Sequence, residues 1–213
     1  MTWQRCSPAS SAAGKRLEYL DLARENLRQG QQVINDLLAY ASIGKEKLQK
    51  EWIDVHAFCA QVVQDQLAHL GSAGIDFECD FSADIYADPN LLRHLLNNLV
   101  NNAIKFSREE DAPVLRMGSY QEADQTVLFV TDNGVGFDAR FSSLLGQPFK
   151  RLHGSEFAGS GIGLSAVRLI MDLHEGKLWA EAEVGKGATF FCSFPGRAPA
   201  EASPLSILSA QPS

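Results

Sequence analysis

From Leu17 to about Ile43 the apolar positions keep a heptad period: Leu20, Leu27, Ile34 and Ala41 lie seven apart, with Ala23, Gly30 and Leu37 three positions after the first three. That spacing predicts a long amphipathic helix whose seam asks for partner helices. "GKEKLQKEW" follows as a charged connector, and "DVHAFCAQVVQDQLAHL" predicts a second helix with Asp54 as N-cap and Gly71 just past its end. The alternating "IDFECDF" predicts a strand. Asp88-Pro89 opens a third helix, "LLRHLLNNLVNNAIKF", with Asp88 at the N-cap and Pro89 at the first helical position, where its missing N–H costs nothing. "VLRMGSY" and "TVLFVTD" predict two strands, followed by a long Gly-punctuated loop, a helix "GLSAVRLIMDLH" and two last strands, "KLWAEAE" and "ATFFCSF". This order predicts an α/β fold: a mixed β-sheet with helices on one face, preceded by a long amphipathic helix.

The Ser/Ala-rich residues 1–15, with Pro8 and Gly14, are expected to be mobile, as is the tail 197–213. Between them the pattern divides into the helix 16–44, a linker 45–53 and a principal domain 54–196. A chain of 213 residues with 45% hydrophobic content supports one such domain plus an appendage. Its net charge of -7, without a basic stripe, argues against a nucleic-acid or anionic-membrane partner. A small anionic ligand accompanied by a metal stays compatible with that charge. Cys6, Cys59, Cys79 and Cys192 show neither CxxC nor Cys/His metal spacing, which suits reduced thiols in a cytoplasmic protein. No apolar run is long enough to span a bilayer, so the chain is expected to be soluble, without membrane contact.

The third helix carries Asn97, Asn98, Asn101 and Asn102, which together cost about 2 kcal/mol in helix propensity relative to Ala. Asn98, Asn102 and Lys105 fall within about 60° of one another on the helix, opposite Leu92, Leu95, Leu96, Leu99 and Ala103. A merely solvated face would favour Glu, Lys and Arg. Carboxamide oxygens suit Mg²⁺, and a lysine one turn on can meet phosphate. In "VTDNGVGF", Asp132 ends a strand before Gly134 and Gly136; a type I′ hairpin is the ordinary reading, but "FDARFSSLLGQPF" does not alternate like a return strand. A carboxylate beside bare backbone can accept a hydrogen bond from an exocyclic amine while a flat ring approaches the glycines, which suits adenine. "GSGIGL" places Gly159, Gly161 and Gly163 before an amphipathic helix, fits neither the dinucleotide fingerprint nor the P-loop, and does fit a loop whose N–H groups cradle phosphate. "GKGATF" offers Thr189 as a polar contact.

The order of these pieces resembles the ATP-binding catalytic domain of sensor histidine kinases, in the Bergerat fold shared with gyrase and MutL. "NLVNNAIKF" matches the asparagine box, "DNGVGF" the first glycine box, "PFKRLH" the aromatic box, "GSGIGL" the second glycine box and "GKGATF" the last. "RQGQQVINDLLAYASIGKEKL" is similar to the second helix of a kinase dimerisation hairpin, particularly of phytochrome-type kinases. The resemblance implies Asn102 as Mg²⁺ ligand with Asn98 assisting, and Lys105 and Phe106 on the phosphate and sugar side. It implies Asp132 on the adenine amine, Gly134 and Gly136 shaping the base pocket, and residues 138–158 as a lid. Lys150 and Arg151 of that lid would approach the triphosphate, over which Ser160, Gly161, Ile162, Gly163 and Leu164 close. It further implies a histidine-bearing dimerisation helix and a response regulator receiver domain as partners, with a weak homodimer through residues 17–43.

No recognisable acceptor box is present. Of His56, His69, His94, His153 and His174, only His174 precedes an acidic residue, at a helix end where a surface His before a turn is the expected state. Two other readings compete: a Bergerat ATPase or anti-sigma-type serine kinase, and a non-enzymatic nucleotide-sensing module that pairs with a partner kinase. The former place Glu at the position of Asn98, and an amide cannot act as general base.

Overall fold

The computed structural model describes residues 9–43, 47–70, 74–148, 150 and 161–196. Helix α1 runs Ala9–Ser42 and leaves its seam open: Leu20, Leu27 and Ile34 are each at least 60% exposed. It begins eight residues before Leu17, inside the stretch expected to be mobile. The Ser/Ala run has good helix propensity, and Gly14 costs about 1 kcal/mol, which a helix this long absorbs. The expectation of mobility for residues 1–8 and 197–213 lies outside the described residues, as does Gly71 beyond α2.

Strand β1 (Glu51–Ile53) follows, then α2 (Val55–Leu70), β2 (Asp76–Phe81), β3 (Ile85–Ala87), α3 (Pro89–Phe106), β4 (Val114–Glu122), β5 (Gln125–Asp132), a 3-10 turn (Ala139–Leu144), α4 (Gly163–Leu173), β6 (Lys177–Glu183) and β7 (Gly187–Pro195). The main sheet has the order β2-β4-β5-β7-β6, parallel only between β2 and β4. It is the expected mixed sheet. Leu115, Met117, Leu128, Val130, Phe190, Cys192 and Phe194 alternate onto the face that packs with α2, α3 and α4, giving one continuous core. α3 contributes Leu92, Leu95, Leu96, Leu99, Val100, Ala103 and Ile104, the stripe expected from its pattern and slightly wider. Asp54 caps α2 by accepting from the Ala57 N–H (3.2 Å), and Asp88 caps α3 as expected.

β1 and β3 pair antiparallel into a separate two-stranded sheet, so the end of the expected linker is itself a strand. The Asp88 carboxylate fastens this connector to α3: Oδ1 accepts from Asn90 and Leu91 N–H, and Oδ2 accepts from the Gln49 N–H at 2.9 Å. The Asp88 N–H in turn donates to His174 Nε2 (3.0 Å), while His174 Nδ1 bonds the Ile170 carbonyl (2.8 Å). That bond to a carbonyl makes Nδ1 the protonated nitrogen and frees Nε2 to accept. His174 is therefore buried, 1% exposed, with Phe194 edge-on against it, and the surface position expected for it is corrected. What the local sequence does not show is that the end of α4 runs up against the start of α3. Both ring nitrogens are engaged in structure, so this histidine is no phosphoryl acceptor.

Candidate functional site

Asp132 lies at the end of β5, 4% exposed, on the helix side of the sheet. Its Oδ1 accepts from the Gly134 N–H (3.0 Å), and the Ala188 N–H, in register with it on β7, is a second backbone donor. Burial pushes the carboxyl up from 3.8 to about 6, against the pull of those two donors. A carboxylate held ready to ionise, in a site of limited water, is a strong acceptor for one more N–H donor.

The loop after Asp132 is clamped by backbone on both sides. Val135 N–H donates to the Phe106 carbonyl at the end of α3 (3.2 Å), and Gly185 N–H donates to the Val135 carbonyl (2.8 Å). A Cβ at Gly134 would stand 2.2 Å from the Phe106 oxygen. At Gly136, which has φ +57°, it would stand 2.0 Å from the Glu183 oxygen. The atoms that demand glycine at these two positions are thus the protein's own carbonyls. The glycines fix the loop, and with it Asp132, between α3 and the β6–β7 turn.

Asn98 and Asn102 are half-buried on α3. Asn98 Nδ2 donates to the His94 carbonyl (2.8 Å), which turns its Oδ1 toward Gly163, where a Cβ would be only 2.6 Å away. The asparagine helix and the second glycine segment therefore meet at Asn98. Lys105 places its ammonium 4.1 Å from the centre of the Phe106 ring, in the last turn of the same helix. Gly161 has φ +73°, Ile162 is buried, and Leu164 packs against the core, so α4 starts just after a left-handed glycine. Lys150 is exposed, with its N–H bonded to the Gln147 carbonyl (3.2 Å); Arg151, His153, Gly159, Ser160 and the part of the expected lid from residue 151 to 158 lie outside the described residues.

One expectation changes. The Thr189 hydroxyl bonds Thr131 (3.0 Å) on the sheet face away from the helices, so it does not join Asp132. The two-residue alternation of β7 gives that place to Ala188. Asn97 accepts from Gln66 Nε2 (2.9 Å) and ties α3 to α2. Among the described residues no three His, Cys, Asp or Glu side chains gather to hold a metal. An ion here would depend on one or two amide oxygens together with oxygens of its ligand, an incomplete donor set that suits Mg²⁺ arriving with phosphate.

The family described as histidine kinase-, DNA gyrase B- and HSP90-like ATPase matches residues 87–198, more than half of the chain. The chain belongs to this family. Its relatives include cyanobacterial phytochrome A of Nostoc sp. strain PCC 7120, 31% identical over 84% of this chain and 23% of the relative. The full-length structure of ShkA in complex with AMPPNP superposes with a TM-score of 0.68 at 24% identity, covering 90% of this chain and 42% of that one. The histidine kinase ThkA in complex with the response regulator protein TrrA superposes with a TM-score of 0.62 at 19% identity, over 84% of this chain and 51% of that one. The fold is thus that of histidine kinase catalytic domains, the Bergerat fold, and the chain spans about a quarter of the curated relative's length. No helix among the described residues is long and apolar enough to cross a membrane.

Proposed function

We propose that this chain is the ATP-binding core of a two-component histidine kinase, which binds Mg-ATP and passes its γ-phosphoryl group to a histidine on a dimerisation helix outside the motifs present here. The observation that carries this reading is the buried Asp132 carboxylate, braced by Gly134 and Ala188 N–H groups and facing the layer that holds Asn98, Asn102 and Lys105. Asp132 accepts the adenine amine. Asn102, with Asn98 beside it, holds Mg²⁺, which when bound neutralises charge on the triphosphate. Lys105 meets phosphate, the Gly161–Leu164 segment closes over it, and Lys150, Arg151 and Ser160 approach from the lid. Phosphoryl transfer needs positioning and electrostatics more than a protein base, so an amide at position 98 suits transfer to histidine better than hydrolysis. A response regulator receiver domain is the onward acceptor, and the open seam of α1 is where the partner helix docks or a weak homodimer forms. The free thiols Cys59, Cys79 and Cys192 accord with a cytoplasmic setting.

Incubation with γ-labelled ATP, Mg²⁺ and a separate histidine-bearing helix tests the proposal. Acid-labile label is expected on the added helix, reduced about tenfold or more by Asn102→Ala, the equivalent of about 1.4 kcal/mol. Free phosphate as the sole product would favour a Bergerat ATPase. Nucleotide binding with neither product would favour the sensing module.

A further inference from the structure

The sheet face turned away from α2, α3 and α4 carries a row of half-buried rings. Phe129 of β5, Phe191 of β7 and Trp179 of β6 stand in register, with Trp179 stacked flat on Phe191 (5.1 Å between centroids, 9° between planes). Tyr120 of β4 lies beside Phe129 at 6.4 Å. Gly118 is the place of β4 in the row, and its missing side chain lets the Phe129 ring lie over it: a Cβ there would stand 2.4 Å from that ring. The row thereby reaches Asp80, the register partner of Gly118 on the edge strand β2. Cross-strand rings stabilise any exposed sheet, so the row by itself points to no ligand.

The charges around it do. Strand alternation puts Glu122, two residues past Tyr120, and Glu181, two past Trp179, on this same face. After burial, the carboxylates of Glu122 and Glu181 are what push the Tyr120 phenol up, so both act on one ring although two strands separate β4 from β6. Glu78 is matched by Arg116 and Glu183 by Lys186. Asp80, Glu122 and Glu181 form no ion pair among the described residues. Against these three carboxylates the face sets Lys177, two residues before Trp179.

We propose that this face docks a basic segment of a partner protein, whose arginines lie on the aromatic row and pair with Asp80, Glu122 and Glu181. A guanidinium meets both halves of the surface, since its plane stacks on a ring while the N–H groups at its edge reach a carboxylate. Asp80 and Glu181 stand on the two edge strands of the five-stranded sheet, about 19 Å apart at about 4.8 Å per strand. One small cation cannot fill that span, whereas about six extended residues do. A second copy of this chain would set like carboxylates against one another. Asp132 lies on the opposite face, so the nucleotide-free chain is used and the outcome is independent of the proposed ATP site.

The probe is the blocked peptide acetyl-Arg-Val-Arg-Val-Arg-amide, which presents three guanidinium groups on one side when extended. It is titrated into the whole chain while NMR follows the backbone amides and the Trp179 indole. Shifts are expected to concentrate at Tyr120, Phe129, Trp179 and Phe191. The lysine counterpart, equal in charge but without a plane to stack, should bind about fivefold or more weakly. The double variant Glu122→Gln/Glu181→Gln, at two exposed positions, should weaken the arginine peptide about tenfold or more. No binding at millimolar peptide would overturn the proposal. A lysine peptide that binds equally well, a double variant that binds as the wild type does, or shifts confined to the helix side would each do the same. A dimer closed through this face, seen in sedimentation and lost on Trp179→Glu, would overturn it as well.

Discussion

Replacing Asp132 by Asn is expected to weaken Mg-ATP binding by roughly 100-fold, about 3 kcal/mol, while raising the Tm of the nucleotide-free protein by several degrees. The two effects share one cause. An Asn at this position must keep its oxygen toward the Gly134 and Ala188 N–H groups, which turns its NH₂ toward the adenine amine and sets donor against donor. The same exchange removes a carboxylate that is unfavourable to bury. Because the Asp132 carboxyl is raised from 3.8 to about 6, its cost to the folded state is absent below 3.8, grows between those values and is constant above about pH 6. That cost is on the order of 3 kcal/mol at neutral pH. Nucleotide affinity of the wild type should fall as pH drops through about 6, since protonation removes the acceptor, and this dependence should vanish in the variant. Calorimetry at pH 5.5 and 8 with both proteins checks the prediction; equal affinities would remove Asp132 from the base site.

His174→Ala should destabilise the protein by about 3 kcal/mol in chemical denaturation. It leaves the buried Asp88 N–H without its acceptor, leaves the Ile170 carbonyl with only the backbone N–H of residue 174, and opens a cavity beside Phe194. Since Asp88 also holds the Gln49 N–H and caps α3, the loss should spread to the joint between α1 and the ATP-binding layer. Burial first of all lowers the pKa of His174 from 6.5, so the folded state keeps the ring neutral. The stability it contributes is present above 6.5 and is lost as pH falls below that value, where the unfolded chain gains a proton that the folded one resists. Asp132 acts with the opposite sign between 3.8 and about 6, so wild type and variant are compared at matched pH. His174→Gln, which can retain one donor and one acceptor, should recover part of the stability and none of the pH dependence. A variant as stable as the wild type would mean that the ring does not hold the joint.

Long periodic elements are legible in the sequence: the heptad of α1, the apolar stripe of α3 and the strands from β4 onward carry enough repeats for a period to show. β1 and β3 are three residues each, too short for any period, and become strands only because they pair with one another. At the candidate site, residue type alone points to Asp132 and the asparagine stripe as the proposed nucleotide contacts, and the structure shows the burial and backbone donors of Asp132. The sequence is obscure where the partner comes from elsewhere in the chain. Asn97 looks solvated on its own helix, yet Gln66 arrives from α2; His174 looks like a surface turn residue, yet the start of α3 closes over it. Thr189 offers a hydroxyl, but strand alternation decides which side chain faces Asp132, and it is Ala188. Gly134 and Gly136 suggest room around a ring, while the crowding there comes from the carbonyls of Phe106 and Glu183.

A crystal structure of the chain with Mg²⁺ and a non-hydrolysable ATP analogue should place the purine on Asp132 and the magnesium-bound triphosphate along Asn98, Asn102 and Lys105. The exocyclic amine is expected within hydrogen-bond distance of the Asp132 carboxylate and the metal on the Asn102 amide oxygen. Analogue bound elsewhere, or a cleft filled by the protein's own side chains at saturating nucleotide, would overturn the proposed function.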